Sequence, residues 1–242
     1  ASAEGHVDML KLFLAHDPLD ISCFQGTKTL LHCSSLFGKV EIVKLLLEDG
    51  RTDFNALSET GDTALHCASS EGHAHVAALL LQDSRVDPTI LNSNGETPLH
   101  GACRGGNYIA LVDLLLENKR IDINVRSTDG TTALHIICGK GHVAMLKKFL
   151  SDERLDPTVT DERQVTPIHQ AVKKQQLDIL HILLHDPRFD PEARDINQSS
   201  AFHYACFIGN VAVVSLLLRD SRVNPNVSDS SGSTPLHLAC VR

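Results

Sequence analysis

Apolar positions along the chain fall into short stripes with helical spacing, separated by segments rich in turn-forming residues. Residues 87–121 show the pattern. Segment 87–95 is rich in Asp, Asn, Pro and Gly, and the apolar residues within 99–103 then follow an i, i+3, i+4 spacing. Gly105 and Gly106 precede a longer apolar segment. The pattern predicts a turn, a short helix, a second turn and a second helix, and such a unit cannot bury its apolar faces alone.

A motif of the form Thr-x-Leu-His, the cassette, stands at the start of each predicted short helix. The Thr hydroxyl can cap the helix, and a Pro that follows it loses no hydrogen bond at the first helical position. The cassette recurs with a period of about 34 residues, and a fixed period of this size is typical of a solenoid of stacked units. The interval from His100 to His135 is longer than the others by a single position. The seven copies begin at Thr29, Thr63, Thr97, Thr132, Thr166, Ser200 and Thr234.

These units resemble the ankyrin repeat. The Thr-Pro-Leu-His-x-Ala box is complete or nearly so at 97–102, 234–239 and 63–68, a Gly-His or Gly-Asn turn recurs, and Leu-Leu-Leu closes several second helices. The resemblance implies an all-α, ankyrin-type solenoid of stacked helix-turn-helix repeats with protruding β-turn fingers. It also implies a non-catalytic module that binds a protein or peptide partner in a concave groove.

The period predicts a single repeat domain over residues 1–242. Neither end shows a polar capping repeat, so we expect a monomeric piece of a longer chain. The alternative function is a regulatory or substrate-recruiting cytoplasmic arm of a larger enzyme, ubiquitin ligase or ion channel, which the flanking sequence would reveal. The predicted units are a partial repeat 1–19, full repeats 20–52, 53–86, 87–121, 122–155, 156–189 and 190–223, and a partial repeat 224–242.

Charge and hydropathy exclude several classes of partner. The net charge is −8, which argues against nucleic acid because phosphate binding needs a basic face. No apolar run approaches the length of roughly 18 residues that a membrane span needs, so membrane insertion is not expected. Segment 1–17 lacks the basic and apolar regions of a signal peptide. We therefore expect an intracellular protein, cytoplasmic or nuclear.

Seven cysteines and the repeated His-Cys pairs raise the question of metal or disulfide chemistry. Equivalent cysteines in stacked units should lie roughly 8–10 Å apart, beyond the roughly 7 Å limit of a disulfide. We expect reduced, buried thiols, with Cys23 alone in a loop. Pairs such as His100 and Cys103 supply two ligands per unit along an axis, whereas structural zinc needs four that converge. No nucleotide, hydrolase or metalloprotease motif is present, so no catalytic residue, cofactor or metal is predicted, and the cassette His is assigned a structural role.

Departures from the family pattern mark irregular units. Gln164 and Gln198 replace a finger Gly, and because Gln at positive φ is costly we expect those fingers to change turn type. Gln175 replaces the Gly between two helices. The one longer interval predicts a bulge at the start of the second helix in 87–121. Finger residues Asn55, Asn124 and Asn226 are expected to brace hairpins, and whether they are hydroxylated, as in some ankyrin proteins, stays open.

One arginine recurs in the connector between successive units, usually with Asp two residues before or after it. An arginine ladder for an acidic or phosphorylated partner is one interpretation. Pairing of each Arg with its own and neighbouring Asp residues is the favoured one. The six positions are Arg51, Arg85, Arg120, Arg154, Arg188 and Arg222.

Partner binding is expected at positions four and five residues after each cassette His and at finger tips such as Ile196. The central repeats there are basic, and large apolar residues stand toward both ends, where a monomer would normally be polar. We predict a protein or peptide partner that is acidic in its middle and anchored by apolar side chains. The alternative is that the phenylalanines tuck beneath neighbouring fingers and the lysines are only solvated. The predicted partner-binding residues are Leu36, Phe37, Glu71, Arg104, Lys140, Arg163, Lys173, Lys174, Phe207 and Ile208.

Overall fold

The computed structural model describes residues 7–15, 28–106 and 108–240. Cys23, predicted to lie in a loop, and Gly5, His6 and Asn107, which belong to the predicted Gly-His and Gly-Asn turns, lie outside the described residues. The chain divides into two compact units, the first Ala1–Thr128 and the second Asp129–Arg242. The described β structure is an isolated bridge between Arg194 and Ser200 in the second unit.

The first unit consists of helix pairs in two rows. The short first helices, which begin directly after the cassette Thr, pack on one another as α2 on α4 and α4 on α6. The second helices pack in the same order, α1 on α3, α3 on α5 and α5 on α7. The bounds are α1 Val7–Leu14, α2 Leu30–Leu36, α3 Val40–Asp49, α4 Ala64–Ser70, α5 Ala74–Gln82, α6 Pro98–Arg104 and α7 Ile109–Glu117.

The second unit repeats this arrangement. Helices α8, α10, α12 and α14 pack in sequence in one row, and α9, α11 and α13 pack in the other. The predicted alternation of a short first helix and a second helix is therefore confirmed in both units. The bounds are α8 Ala133–Lys140, α9 Val143–Ser151, α10 Pro167–Lys173, α11 Leu177–His185, α12 Ala201–Ile208, α13 Val211–Leu218 and α14 Pro235–Cys240.

Aliphatic side chains from both rows form the core. Burial of one such side chain contributes about 1.5–3 kcal/mol, so stacking supplies the stability that an isolated unit lacks. The Leu position of the cassette is at most 4% exposed in six copies. These copies are Leu31, Leu65, Leu99, Leu134, Ile168 and Phe202.

The six described cysteines are free thiols, and three of them serve as small buried groups. Cys33, Cys103 and Cys138 are buried, and Cys67 and Cys206 are half-buried. Burial raises the pKa of Cys67 to about 12, which makes it a poor nucleophile at neutral pH. The expectation of burial is wrong for Cys240, which is exposed.

The prediction that Gln164 and Gln198 change the turn type of their fingers is wrong. Both residues have φ 58°, close to the 74° of Gly61. The Gln164 backbone N donates to the carbonyl of the residue three positions earlier at 3.0 Å, just as Gly61 does at 2.8 Å. Gln175, which replaces a Gly between two helices, also has positive φ, at 56°. The finger hydrogen bonds thus hold Gln in a left-handed conformation that costs roughly 1–2 kcal/mol.

The extra residue of segment 87–121 lies between two helices, and the predicted helix bulge is wrong. Helix α7 is as long as α5, nine residues in each case. Its first residue follows the cassette His by nine positions, from 100 to 109, against eight positions, from 66 to 74, for α5. Gly105 ends α6 with an extended ψ of −152°, whereas the equivalent Glu71 keeps a helical ψ of −5°. The turn absorbs the insertion.

Candidate interaction surface

The cassette His joins two successive fingers. In the copy at 63–66, the Thr63 backbone N donates to His66 Nδ1 at 3.2 Å, and His66 Nε2 lies 2.9 Å from the carbonyl oxygen of Glu96 in the next finger. Because Nδ1 accepts, the hydrogen bonds assign the proton to Nε2, which donates to that carbonyl. The predicted structural role is confirmed. Equivalent bonds to the next finger are made by His32, His135, His169 and His203.

Burial keeps the rings of His32, His66 and His169 neutral. Removal from water lowers the pKa of His32 and His66, and it lowers the pKa of His169 to about 4, which outweighs the opposing effect of the carbonyl of Ser199. A neutral imidazole with both nitrogens engaged has no free nitrogen for proton transfer or metal binding.

The connector arginines pair within the repeat stack, which confirms the favoured interpretation. Arg85 donates to Asp83 through Nε at 2.9 Å and Nη2 at 2.5 Å, and Nη2 also donates to the carbonyl of Leu47 in the last turn of α3 at 2.9 Å. This pairing holds the pKa of Asp83 at about 2. A cation at a helix C-terminus also stabilises the exposed carbonyls there. The same Arg–Asp pairing occurs at Arg51, Arg154, Arg188 and Arg222, while Arg120 pairs with Asp87 of the preceding unit.

Asn55 braces two neighbouring connectors. Its Nδ2 donates to the carbonyl of Arg85 and its Oδ1 accepts from the backbone N of Asp87, both at 2.8 Å. The structural role predicted for this Asn is therefore confirmed.

In the first unit, the predicted partner-binding residues differ in availability. Phe37 is 52% exposed, Leu36 is half-buried and Glu71 is exposed. Arg104 donates to Glu96 in a bidentate pair, Nη1 to Oε2 at 2.8 Å and Nη2 to Oε1. This pair lowers the pKa of Glu96. Arg104 is thus neutralised by a carboxylate that is only 8% exposed.

Four of the predicted partner-binding residues are cations of the second unit, and they form no ion pair with any residue in the described ranges. Lys140, Arg163 and Lys174 are exposed and Lys173 is half-buried. A Cβ built on Gly139 would lie 3.7 Å from Lys174 Cγ. The Lys174 side chain therefore passes close to Gly139, the residue directly before Lys140 in α8. These four residues are called the basic surface below.

Lys173 contacts a tyrosine ring, and the tyrosine in turn is hydrogen-bonded to a buried aspartate. Its Nζ lies 4.4 Å from the ring centroid of Tyr204, and the Tyr204 hydroxyl donates to Asp195 Oδ2 at 2.5 Å. Asp195 is 1% exposed, and its Oδ1 accepts from two backbone N–H groups of its finger, those of Asn197 and Ser199. Burial lowers the pKa of Lys173, and burial together with the Asp195 bond raises the pKa of Tyr204.

Sequence reasoning missed Tyr204 and Asp195 as parts of this surface. The available signal was a Tyr directly after a cassette His, the only such residue among the seven copies. Asp195 looks like an ordinary finger residue because Asp161 and Asp229 occupy the same position. The pairing of Tyr204 with Asp195 depends on which finger residue faces which helix. The spacing of residues in the sequence does not determine this arrangement.

Exposed apolar side chains lie next to the basic surface. Ile196 is 58% exposed, and its backbone N donates to the carbonyl of Arg163 in the preceding finger at 2.9 Å. Phe207 is 43% exposed, one helical turn beyond Tyr204, and Ile208 is half-buried. Cationic and apolar groups thus share one surface of the second unit.

Within the described ranges, no group of three or more His, Cys, Asp or Glu side chains could hold a metal ion. Among the helices described, none is long and apolar enough to span a bilayer. An open cleft of about 580 Å³ lies at the connectors of the second unit, where it is lined by His181, Leu216, Arg219 and their neighbours. It contains none of the predicted partner-binding residues.

Helix pairs, capped by a cassette Thr and joined through its His to the next finger, define a class of repeat scaffold. Family models described as ankyrin repeats match residues 50–127, 102–195 and 187–242, and a further ankyrin model matches residues 1–47. The chain belongs to the ankyrin repeat family. Its fold is the all-α, ankyrin-type solenoid of helix-turn-helix repeats, and ankyrin repeats are in general protein–protein interaction modules.

Two solved structures show the similarity. The ankyrin repeat domain of human ASB11 has a TM-score of 0.75 at 23% identity, over 88% of this chain and 92% of that chain. The ankyrin repeat domain of Bcl-3, described as a unique member of the IkappaB protein family, has a TM-score of 0.76 at 25% identity, over 89% of this chain and 95% of that one. A search of curated protein sequences finds no match.

Proposed function

We propose that the chain is a non-catalytic, intracellular interaction module that binds an acidic segment of a protein partner at the basic surface. The observation that carries the proposal is the group of four cations without an ion pair among the described residues, in a protein of net charge −8. The connector arginines of the second unit, Arg154, Arg188 and Arg222, each pair instead with an Asp of their own connector. Complementary charge steers an acidic partner to the cationic patch and fixes its orientation.

The first unit has an exposed apolar residue of its own for partner contact. Phe37 presents half of its side chain to solvent, and Leu36 and Glu71 stand at equivalent helix ends. Arg104 has a smaller role because Glu96 already satisfies its guanidinium. The same surfaces would serve a free adaptor or the substrate-recruiting or regulatory arm of a larger protein, since both act by recruitment.

The charge of the basic surface provides the test. The probe is a fluorescein-labelled dodecamer of glutamate, with a lysine dodecamer as the opposite-charge control, and anisotropy reports binding. We expect the glutamate probe alone to bind, with an affinity that falls as salt rises from about 50 to about 500 mM. The variant Lys140→Glu/Lys173→Glu should lose this binding, whereas the matched variant Lys44→Glu/Lys147→Glu, on second helices, should keep it. Equal binding by both variants would contradict the proposal.

A further inference from the structure

We propose that the second unit holds a two-part peptide site centred on Tyr204, which binds a linear segment that carries both carboxylates and a large apolar side chain. Arg163, Lys173 and Lys174 would take the carboxylates, and Ile196 with Phe207 would take the apolar side chain. This inference rests on the proposed function and names the partner chemistry of the same surface.

Tyr204 connects the two parts. Its ring lies under Lys173 Nζ at 4.4 Å, and its hydroxyl is bonded to Asp195, the residue directly before Ile196. Phe207 follows on the same face of α12 by one helical turn. The cationic and apolar contacts are therefore a few side chains apart, within reach of one short peptide.

The cationic part is partly preorganised. A free Lys side chain loses rotamer entropy when it binds, and an aromatic ring beneath the cation already restricts it. Asp161 and Asp195 act electrostatically on Lys173 but form no ion pair with it. Asp161 Oδ1 accepts from the backbone N of Arg163 and Val165, and Asp195 is engaged by its finger and by Tyr204. Neither forms an ion pair with any described residue.

The apolar part distinguishes a peptide from a simple anion. Ile196 at 58% and Phe207 at 43% exposure offer large apolar area beside the cations, and exposed apolar groups of this size next to polar ones are typical of protein contacts. A free phosphate ion would use only the cations. An extended polyanion such as nucleic acid would be repelled by the net charge of −8. An acidic peptide with an apolar anchor fits both parts.

Three labelled dodecapeptides and the full chain test the site. The mixed peptide carries a central Phe and Leu flanked by glutamates, the acidic peptide replaces Phe and Leu by Gln, and the neutral peptide replaces the glutamates by Gln. The site variant is Ile196→Ser/Phe207→Ser. The matched control is Val211→Ser/Leu218→Ser, which removes apolar groups that are also exposed, at 76% and 54%, from the second helix of the same repeat. Circular dichroism confirms that each variant is folded.

We expect the native chain to bind the mixed peptide about tenfold more tightly than either other peptide, a difference of about 1.4 kcal/mol, because the mixed peptide alone uses both the cationic and the apolar part of the site. The site variant should lose that advantage and keep its affinity for the acidic peptide, and the control should change neither. Equal affinity of the native chain for the mixed and acidic peptides overturns the inference while the proposed function stands. No binding of either acidic peptide overturns both.

The positioning role of Tyr204 has its own readout. In the native background, Tyr204→Leu should weaken binding of the mixed peptide about threefold, the value of the lost cation–π contact. In the Lys173→Gln background the same change should have no effect, because the cation that the ring supports is absent. An equal loss in both backgrounds would mean that Tyr204 acts only on the general packing of α12.

Discussion

At the scale of the residue, one position of the repeat is occupied by side chains of different polarity in different copies. The third residue after the cassette His is buried in five of the seven copies, and across all seven this position holds Cys four times, Ser twice and Val once. Cys103, Cys138 and Val172 need no hydrogen bond in this apolar slot. A buried Ser hydroxyl does need a hydrogen-bond partner. The Oγ atoms of Ser35 and Ser69 have none among the described residues.

We expect Ser69→Ala to stabilise the protein by about 1 kcal/mol, because a buried hydroxyl without a partner costs about 1–3 kcal/mol and Ala is the better helix former. The urea midpoint of unfolding, followed by circular dichroism, measures the change. Ser34→Ala is the matched control, since the Ser34 hydroxyl is equally buried but donates to the carbonyl of Leu31 at 3.2 Å. A fall in midpoint for Ser69→Ala would show that its hydroxyl has a partner in solution.

At the scale of the element, the finger is a turn whose shape is set by hydrogen bonds more than by the residue at its tip. In the finger of Gln164, Asp161 Oδ1 accepts from the backbone N of Arg163 at 2.8 Å and of Val165 at 2.9 Å. The backbone N of Glu162 donates to the carbonyl of Asp129 in the neighbouring finger at 3.0 Å. These bonds fix the loop on both sides of Gln164, so the left-handed conformation persists without a glycine.

Gln164→Gly should therefore raise stability by about 0.5–1 kcal/mol, the relief of left-handed strain less the greater chain entropy of Gly in the unfolded state. The reverse change at an equivalent finger, Gly130→Ala, should lower stability. Gly130 has φ 78°, and a Cβ there would approach the backbone N of Glu162 to 2.6 Å. Thermal unfolding of both variants against the native chain checks the signs, and a less stable Gln164→Gly variant would mean that the Gln side chain itself stabilises the finger.

In the connector, the recurring arginine forms hydrogen bonds that link neighbouring repeats of the stack. Arg188 joins Asp186 of its own connector to the carbonyl of Leu150 at the end of the preceding second helix, at 3.1 Å. We expect Arg188→Met to lower the free energy of unfolding by about 0.5–1 kcal/mol, the usual range for a well-formed exposed ion pair. Arg219→Met is the control, because Arg219 forms no ion pair with a described residue. Added salt should shrink the difference between the two variants.

At the scale of the whole molecule, the sequence predicts the scaffold far better than the site. The near-constant period of the cassette, the Thr caps and the apolar stripes define every helix pair, since each depends on local spacing. The pairing of Arg104 with Glu96 and of Tyr204 with Asp195 depends on how a finger packs against the helix that follows it. Such contacts join residues eight or nine positions apart through a turn, and no periodicity encodes them. The residues of the interaction surface could therefore be assigned only from the three-dimensional structure.

The repeated neutral histidine makes the stability of the whole array depend on pH. Burial lowers the folded-state pKa of His32, His66 and His169, the last to about 4, whereas an unfolded His titrates near its ordinary value of about 6.5. Below that value the unfolded chain takes up protons that the folded chain does not. Stability is therefore fully present above about pH 6.5 and falls as pH decreases toward 4, by up to about 1.4 kcal/mol per pH unit for each such His.

Urea midpoints measured between pH 7.5 and 5 test this dependence without interference from the connector aspartates. Arg85 lowers the pKa of Asp83, so the stability from that carboxylate is lost only below its ordinary range, at more acidic pH. The variant His169→Gln keeps a residue that can complete the capping box with Thr166 but removes one titrating ring. Its midpoint should fall less steeply with decreasing pH than that of the native chain. A native midpoint that stays constant from pH 7.5 to 5 would contradict the neutral, Nε2-protonated state that the hydrogen bonds assign to the cassette histidines.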